Sequence, residues 1–393
     1  MSLVPAREVI IVGGGVGGLC AALALRRAGL RVKVYERAED YQALGAGLSL
    51  WPNAMWALSL LGLSDEVARM GARWRQTVMH RWDGKVLSRL DVNALCEELG
   101  QPTVTLLRAD LQQVLLRALG PENVRMAAAC TGFHVEGDEV RVEFADGQQA
   151  RGDCLVGADG LRSVIRQQLR PESRVRYSGR TSWRGIVTVP TEMIPEGSQF
   201  EFYGQGTRFG ICHLGRGPEG TWRMYWFLMA RAPEGGRDEE GGHREAVLRH
   251  VRGWMAPVES LVQATRESDI LRTDIHDLET LSRWGEGPVT LLGDSAHAMV
   301  TDLAQGACQA IEDALVLAKH LREGGDLRGA LRAYEATRRP RTKHVADMSR
   351  RAGSLRYLRN PVARWSRDVL MQALPHAVAL QHLRSVVAHD FLA

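Results

Sequence analysis

The chain has 393 residues and a formal net charge of +4 at pH 7, with 45% hydrophobic and 24% charged residues. A chain of this length and polarity can bury a large core and form about two domains, which excludes a disordered protein. The net charge is small and there is no basic stripe with interleaved aromatic residues, which argues against nucleic-acid binding and leaves anionic small molecules as candidate partners.

The first predicted element is a buried strand that runs into a glycine turn and a helix, beginning VIIVGGGVGG at Val9. In the spacing Gly13-x-Gly15-x-x-Gly18, one glycine permits the tight turn, one lets the backbone approach a pyrophosphate, and one lets the helix pack on the strand. A second strand, VKVYE, ends at Glu36, whose carboxylate can accept hydrogen bonds from ribose hydroxyls. The pattern predicts a site for a dinucleotide that carries adenosine, with its phosphates at the positive end of the helix; the alternative is a structural turn.

Farther along the chain, the sequence predicts two short helices, a hairpin that turns at Asp83, and a helix from about Asp110 to Leu119. An antiparallel meander follows and returns to a buried strand. The region from about Thr181 to Phe227 is rich in strands and aromatic residues, which indicates a second sheet that faces a ligand. The strand VTLLGD then returns to the nucleotide-binding domain, which is therefore discontinuous, and from Gln305 onward the chain is almost wholly helical.

Two further motifs follow the glycine turn. CLVGADGLRSVIR is a hydrophobic strand that ends in Asp159-Gly160 and opens a helix, and its simple alternative is a helix cap by Asp159 or Ser163. VTLLGDSAHAMVTDLAQGACQAIEDALVLA runs through Gly293-Asp294 to a helix whose N-terminus carries Gln305-Gly306 and can offer N–H groups to a ring edge or a phosphate. Because a capped connection explains either motif alone, the order of all three motifs is the stronger signal.

Six cysteines are scattered along the chain without a Cys-x-x-Cys pair or a zinc-ligand spacing: Cys20, Cys96, Cys130, Cys154, Cys212 and Cys308. The pattern predicts buried thiols in a reducing compartment, without disulfides or a metal site. The first strand begins close to Met1 and no apolar run reaches the length of a membrane span, so we expect a cytoplasmic protein without a cleaved signal and without firm membrane association.

This order of motifs resembles the flavoprotein aromatic hydroxylases, which are single-component FAD-dependent monooxygenases with a p-hydroxybenzoate-hydroxylase-like fold. The resemblance runs from Val9 to about Arg341 and includes the stretch YEATRRPR at its end. Within that family, LSLWPNAMWALSLLGL, Arg108 before a helix, and HDLETLSRW are most similar to FAD-dependent urate hydroxylase and its salicylate-hydroxylase-like relatives.

The resemblance implies an α/β fold with a discontinuous Rossmann-like FAD-binding domain, a β-sheet substrate domain and C-terminal helices. The expected FAD-binding domain comprises residues 1–76, 103–178 and 268–345, the substrate domain residues 77–102 and 179–267, and the C-terminal helical segment residues 346–393. For this last segment three roles stay open: docking on the chain's own domain, which is favoured, a dimer contact, or contact with a membrane surface. The arginine-rich stretch from Arg338 to Arg359 is expected to be a solvated helical face braced against carboxylates, and the protein a monomer or a homodimer.

The resemblance also assigns the cofactor site. The glycine turn would face the FAD pyrophosphate, and the helix end at Gly306 would lie against the flavin pyrimidine edge, where its dipole favours a negative reduced flavin. Asp159 would serve both FAD and the passing nicotinamide cofactor, with a structural share. The residues expected to contact FAD are Gly13, Gly15, Val16, Gly17, Gly18, Glu36, Arg37, Arg108, Asp159, Asp294, Gly306 and Ala307.

In this family the chemistry belongs to the flavin. NADH or NADPH would reduce FAD, O2 would form a C4a-hydroperoxide, and its distal oxygen would pass to an electron-rich aromatic or heteroaromatic ring in a dry pocket. Asp302 and Arg208 match residues near the flavin and the substrate in the urate-hydroxylase-like subgroup; the alternatives are a helix cap for Asp302 and a solvated strand face for Arg208. Trp183, Tyr225 and Trp226 are candidates for the substrate pocket, with the alternative that they belong to the core.

Two positions depart from the family pattern in the loop after GDSAH. Thr301 stands where the family has proline, and Ala304 where it has the glycine before Gln-Gly. Proline fixes a loop and glycine frees a backbone angle, so the surface over the flavin, and with it the substrate, is expected to differ. The alternatives are therefore an epoxidase or an antibiotic-modifying flavin hydroxylase and, from another class, a non-oxygenating flavin-binding or redox-sensing protein. A halogenase is disfavoured because the WxWxIP pattern is absent, and a flavin-free nucleotide-binding scaffold because the two later motifs are present.

Overall fold

The computed structural model describes residues 7–41, 46–238, 241–323, 325–388 and 390–392. Its strands, in chain order, are β1 (Glu8–Val12), β2 (Arg31–Tyr35), β3 (Gly47–Leu50), β4 (Ala72–Trp74), β5 (Gln76–Arg81), β6 (Val86–Asp91), β7 (Thr103–Leu107), β8 (Val124–Arg125), β9 (Cys130–Glu136), β10 (Glu139–Phe144), β11 (Gln149–Gly152), β12 (Cys154–Gly157), β13 (Val175–Val189), β14 (Ser198–Tyr203), β15 (Thr207–Arg216), β16 (Trp222–Arg231), β17 (Ile270–Leu278) and β18 (Val289–Leu291). Its helices are α1 (Val16–Arg27), α2 (Pro52–Leu60), α3 (Ser64–Met70), α4 (Val92–Leu99), α5 (Arg108–Leu119), α6 (Val164–Leu169), α7 (Gly242–Val251), α8 (Val258–Ala264), α9 (Asp294–His297), α10 (Gly306–Glu323), α11 (Leu327–Arg356), α12 (Pro361–Ala373) and α13 (His376–Val387).

A five-stranded parallel sheet carries the glycine turn. Its order is β18-β12-β1-β2-β8, with β1 paired to β12 on one side and to β2 on the other. The central strand is apolar along its length because helices cover the sheet, and Val9 to Val12 are buried. The late strand β18 lies beside β12, which confirms the Rossmann-like fold and its discontinuous chain path.

A seven-stranded sheet forms the second large unit, in the order β17-β13-β16-β15-β14-β5-β6. Neighbouring strands are antiparallel except β14 and β5, which run parallel. One face packs a core that includes Phe209, Trp226 and Leu228 together with residues of α7 and α8, and the opposite face carries Tyr225, Phe227 and Met229. A sheet of this kind was expected in the middle of the chain, whereas the residue bounds of the two domains stay a prediction. The predicted ends at residues 1 and 393 lie outside the described residues.

The C-terminal helices pack on the rest of the chain. Helix α10 contacts α1, α2 and α11, and α11 runs for 30 residues with Pro340 in its interior. Helix α12 packs on β6, and α13 packs on β6 and α4. Val386, Val387 and Phe391 are buried in the same core as α1 and α10. Within the described ranges, no helix is both long enough and apolar enough to cross a membrane.

Candidate active site

The glycine turn after β1 is packed so closely that two of its positions leave no room for a side chain. Gly13 has a φ of +111°, and a Cβ atom on it would lie 2.2 Å from the carbonyl oxygen of Ala158. A Cβ on Gly18 would lie 2.0 Å from the carbonyl oxygen of Gly13. On Gly15, by contrast, the nearest atom to a Cβ would be Arg108 Nη2, at 3.8 Å. Gly13 and Gly18 are therefore needed by the fold itself, while Gly15 leaves open space above the helix end.

A cavity of about 480 Å³ begins at this turn and reaches the seven-stranded sheet. Its lining near the parallel sheet includes Gly15, Val16, Gly17 and Gly18 of the turn, Arg108, Asp294, Gly306 and Ala307. Its lining on the side of the second sheet combines apolar side chains, Met79, Leu90, Tyr225, Phe227 and Met229, with polar and charged ones, Thr77, Arg184, Gln199, Glu201 and Arg208. The cavity therefore joins a dinucleotide-type cradle to a chamber with both apolar and charged walls.

The N-terminus of α10 opens into the cavity. Gly306 and Ala307 are its first residues, and the first N–H groups of a helix have no acceptor within the helix. A Cβ on Gly306 would lie 3.8 Å from Asp294 Oδ1, so the exposed Asp294 carboxylate stands beside this helix end. Donors and an acceptor are thus available side by side for a polar ring edge or a sugar chain.

Four of the predicted cofactor residues lie outside the cavity lining: Gly13, whose place at the turn is described above, Glu36, Arg37 and Asp159. The Glu36 carboxylate, at the end of β2, accepts the N–H of Gly14 at 2.6 Å and that of Ala38 at 2.9 Å. Asp159 accepts the N–H of Val164 at 2.7 Å and so serves the start of α6, as the helix-cap alternative predicts. The Arg37 side chain is exposed at the surface. Glu36 therefore stands beside the glycine turn, while the Asp159 carboxylate is occupied by the backbone.

The cradle fits FAD. The close packing at Gly13 and Gly18, the space above Gly15, and the two helix N-termini that open into one cavity match the needs of a pyrophosphate and an electron-rich ring. The fit rests on backbone geometry and not on any charged pair.

A buried group of charged residues lies where the cavity meets the seven-stranded sheet. Asp302, in the short turn Thr301–Leu303, accepts a hydrogen bond from Arg180 Nη1 at 2.9 Å, and its second oxygen lies 3.6 Å from Arg208 Nη1. Arg208 binds Glu201 through Nε, at 3.1 Å, and through Nη2. Arg356 donates to the Asp302 carbonyl oxygen. Neither the helix-cap alternative for Asp302 nor the solvated-face alternative for Arg208 describes these contacts, because both side chains are buried.

Two atoms of this group have no hydrogen-bond partner among the described residues. They are Asp302 Oδ1 and Arg208 Nη1, both buried and both on residues that line the cavity. They lie 3.6 Å apart, close enough for an ion pair but too far for a hydrogen bond, so each keeps hydrogen-bonding capacity for a ligand. The pair therefore presents one acceptor and one donor to a molecule inside the cavity.

Glu201 was missed by the sequence analysis, and the structure shows that it holds Arg208. Burial alone would raise the pKa of the Glu201 carboxyl, but the charges of Arg208 and Arg356 and the hydrogen bonds from Arg208 and Tyr203 outweigh burial and lower the pKa to about 2. The side chain is therefore a carboxylate throughout the neutral range. The signal in the sequence is the strand SQFEFY, in which one acid stands between two phenylalanines.

The pocket predictions for the aromatic residues are wrong for Trp183 and Trp226. Tyr225 lines the cavity, but Trp226, the next residue of β16, points to the opposite face of the sheet, where it stacks on Phe209 at 5.5 Å. Trp183 lies on that same far face, with its indole N–H bonded to Asp238. The physical reason is strand alternation, since successive side chains point to opposite faces and two neighbours cannot line one cavity.

The loop that departs from the family pattern is braced from α11. The Ser349 hydroxyl donates to the carbonyl oxygen of Val300 at 2.7 Å, and a Cβ on Gly353 would lie 2.8 Å from Asp302 Oδ2. Ala304 closes the turn with φ +51° and ψ +37°, which is left-handed backbone that glycine adopts more readily. Contacts from a distant helix therefore shape this loop without the proline of the family pattern.

Behind the start of α10, a second charged group links the Gly293-Asp294 motif to α11. Asp313 accepts the N–H of Gly293 at 3.0 Å, contacts His297 Nε2 at 2.6 Å and binds Arg338 Nε at 2.6 Å. Arg338 also binds Glu312 at 2.6 Å. The expectation of a solvated face is therefore wrong for the start of the stretch, because Arg338 and Arg341 are buried against these carboxylates. The group fixes the end of β18 relative to α10 and α11.

The comparisons with known proteins agree with this geometry. The family profile described as FAD binding domain matches residues 6–349. The fold and the cradle define an FAD-binding oxidoreductase, and the chain belongs to this family of FAD-dependent monooxygenases and hydroxylases. FAD is its cofactor.

Individual relatives cover nearly the whole chain. The chain is 41% identical to the aurachin C monooxygenase/isomerase of Stigmatella aurantiaca, over 93% of this chain and 94% of the relative. It is 33% identical to an FAD-dependent urate hydroxylase of Klebsiella pneumoniae, over 88% and 89% of the two chains. The structure of Klebsiella pneumoniae HpxO with FAD and uric acid superposes with a TM-score of 0.90 at 29% identity, over 97% of each chain.

Proposed function

We propose that the protein is an NAD(P)H-consuming monooxygenase that inserts one oxygen atom from O2 into an aromatic or heteroaromatic small molecule. The observation that carries the proposal is the buried ion pair of Asp302 Oδ1 and Arg208 Nη1. Neither atom has a hydrogen-bond partner among the described residues, and both residues line the cavity that also contains the FAD cradle. Bound FAD supplies the exchange of electrons with the nicotinamide cofactor and with O2. The chain's own residues supply binding, orientation and exclusion of water.

For the cofactor, the proposal keeps the roles that the resemblance implies. The glycine turn, with Gly13, Gly15, Val16, Gly17 and Gly18, would take the pyrophosphate, and Arg108 would approach it from α5. Glu36 would take the adenosine ribose, since each of its carboxylate oxygens accepts one backbone N–H and can accept a hydroxyl as well. Asp294 would bind the ribityl chain or the pyrophosphate, and Gly306 and Ala307 would meet the flavin pyrimidine edge. These assignments rest on the cavity lining and on the position of Glu36 beside the turn.

For the substrate, the polar pair suits a ring that carries a hydroxyl group, or an N–H beside a carbonyl group. Arg208 Nη1 would donate to the oxygen, and Asp302 Oδ1 would accept the proton of the O–H or N–H. The surrounding group contains three arginines, Arg180, Arg208 and Arg356, and two carboxylates, so it has one excess positive charge that favours a ring losing its proton. Met79, Leu90, Tyr225, Phe227 and Met229 would keep water away from the ring.

Two relatives support a heteroaromatic substrate. One is named for urate and one solved structure contains uric acid, whose ring carries N–H groups beside carbonyl groups. Cys212 also lines the cavity, but burial raises the pKa of its thiol to about 12, so it would remain a protonated thiol. The enzyme is further proposed to be cytoplasmic and a monomer or a homodimer.

The experiment is a turnover screen of the purified flavoprotein. The visible spectrum is recorded first, and the oxidation of NADH and of NADPH is then followed with hydroxylated aromatic, purine and quinoline compounds. Faster oxidation with one compound, and one atom from labelled O2 in its product, would establish the monooxygenase and identify its substrate. Bound flavin that neither nicotinamide reduces would overturn the proposal in favour of a non-oxygenating flavin protein.

A matched pair of variants links the screen to the site. Arg208→Gln and Asp302→Asn are expected to retain FAD and to lose most substrate-stimulated oxidation, since each removes one member of the polar pair. Arg216→Gln, which alters a half-exposed arginine on the same strand, is the control. Equal loss in all three variants would contradict the assigned roles.

A further inference from the structure

The outer face of α12 exposes large apolar side chains. Val362 is 69% exposed, Trp365 66%, Val369 46% and Leu370 59%. Their spacing places them on one side of the helix, and we call this set the α12 stripe. The other side of α12 is turned inward, where Arg367 and Asp368 are buried and bonded to each other at 2.6 Å. The stripe is therefore a formed surface on a docked helix and not a frayed end of the chain.

The stripe is small for a protein partner. Helix α12 has 13 residues, so it is about 20 Å long. One face of a helix of this length is well below the roughly 800 Å² that each partner contributes to a stable protein interface. A lipid surface, by contrast, accepts a single amphipathic helix lying in its plane.

The chain segment that contains the stripe is basic. Residues 350–388 include seven arginines and a single carboxylate, Asp368, which is paired to Arg367. Arg351 and Arg359 are exposed in the chain just before α12. On β6, against which α12 packs, the exposed charges are of both signs: Arg89 and Asp91 lie on the strand, and Lys85 and Asp83, which is paired with Arg81, lie just before it. Two copies meeting through their stripes would bring the arginines of this segment together, whereas an anionic lipid surface would attract them.

We propose that α12 lies reversibly on an anionic lipid bilayer, with the α12 stripe in the headgroup region and Trp365 as its anchor. The large amphipathic ring of tryptophan suits this boundary, and the arginines supply the electrostatic part of the attraction. The contact would orient the substrate cavity toward the lipid, because Arg356 and Leu383, which flank α12 in the chain, both line that cavity. The inference does not depend on the proposed reaction.

The test is cosedimentation of the FAD-loaded protein with vesicles. Vesicles of equal parts phosphatidylglycerol and phosphatidylcholine are expected to pellet the protein, and vesicles of phosphatidylcholine alone to pellet much less. Raising the salt concentration about tenfold should release most of the protein, since it screens the arginines. Trp365→Ser and Leu370→Ser should each lower the bound fraction several-fold, while Val135→Ser, which alters an exposed valine on β9, should not.

Two results would overturn the proposal. One is wild-type protein that stays in the supernatant with both kinds of vesicle at low salt. The other is a sedimentation-velocity experiment without lipid in which wild type is a dimer and Trp365→Ser a monomer, because a second copy would then cover the stripe. The flavin content of each variant shows that it has folded. A failure of the turnover screen would not change the interpretation of the vesicle and sedimentation experiments.

Discussion

At the scale of single residues, the orientation of the Arg208 side chain is fixed by its hydrogen bonds to Glu201. Glu201 takes two of the three guanidinium nitrogens and leaves Nη1 for the cavity. We expect Glu201→Gln to lower kcat/KM by about 10- to 100-fold, because a misplaced contact group costs roughly this much. Steady-state kinetics with the substrate from the screen would measure it.

The control for Glu201 is Glu196→Gln, since Glu196 is an exposed acid that faces Arg216 at 3.6 Å. That variant should keep wild-type kinetics. FAD content should be the same in both proteins. A loss of bound flavin in Glu201→Gln would show that the residue supports the fold and not the orientation of Arg208.

The buried carboxylate of Asp313 is expected to make the stability of the fold sensitive to acid. Burial alone would raise the pKa of this carboxyl, but His297 and Arg338 outweigh burial and lower the pKa from 3.8 to about 2. Because the pKa of Asp313 is lower in the folded than in the unfolded protein, the carboxylate stabilises the fold at pH values above its unfolded-state pKa. That stabilisation is lost as the pH falls from about 4 to about 2. The loss is expected to be on the order of 2 kcal/mol in the free energy of unfolding.

Urea unfolding at several pH values between about 5 and about 2.5 would measure this loss. In Asp313→Asn the free energy of unfolding should be lower at neutral pH, because Arg338 keeps only one carboxylate partner, and it should depend less on pH over that window. An unchanged pH dependence in the variant would show that Asp313 is not the group responsible.

Ala304 offers a test of the unusual loop. Its left-handed backbone is costly for alanine by about 1 kcal/mol, so Ala304→Gly should raise the free energy of unfolding by up to about that amount. Ala127 has a similar φ of +53° and is the matched control. The midpoint temperature of thermal unfolding should rise in both variants. Only Ala304→Gly should change the fraction of NAD(P)H oxidation that is coupled to product formation. Equal coupling in both would mean that the loop backbone does not influence the reaction.

At the scale of elements, the N-terminus of α1 separates folding from cofactor binding. A Cβ on Gly15 meets no protein atom closer than 3.8 Å, but it would occupy space expected for the pyrophosphate. We expect Gly15→Ala to fold with wild-type circular dichroism and to bind FAD at least tenfold more weakly, since the backbone N–H groups could no longer approach the phosphates. Gly325→Ala, where a Cβ meets open space, is the control. Tight FAD binding by Gly15→Ala would contradict the placement of the pyrophosphate.

Elements with a local signal could be predicted from the sequence. The glycine turn, the return of the chain at β18 and the start of α10 each depend on residues close together in the chain, so their pattern was readable. The face of the second sheet on which each side chain lies could not be predicted. It depends on which residue of a strand is the first to point toward the cavity, and the sequence does not show this. Tyr225 and Trp226 were both proposed for one pocket, although neighbours on a strand point to opposite faces. Only Tyr225 lines the cavity.

At the scale of the whole molecule, the buried charges were the least predictable part. Arg338 looks like a surface residue because its partners, Glu312 and Asp313, belong to a different helix. The same holds for Asp302, whose partner Arg180 comes from β13. Sequence patterns report which residues share a face of one element, but they do not report which elements meet. These charges therefore become readable only once α10, α11 and the second sheet are packed together.

The match to the FAD-binding family ends at residue 349, yet the substrate cavity does not. Arg356 and Leu383 contribute to its wall from the stretch that follows. Part of the cavity wall therefore comes from a stretch beyond the segment that the family profile matches. We expect that an exchange of this terminal stretch between relatives would alter the choice of compound while the glycine turn and the start of α10 stay as they are, which would give a practical route to new products from one scaffold.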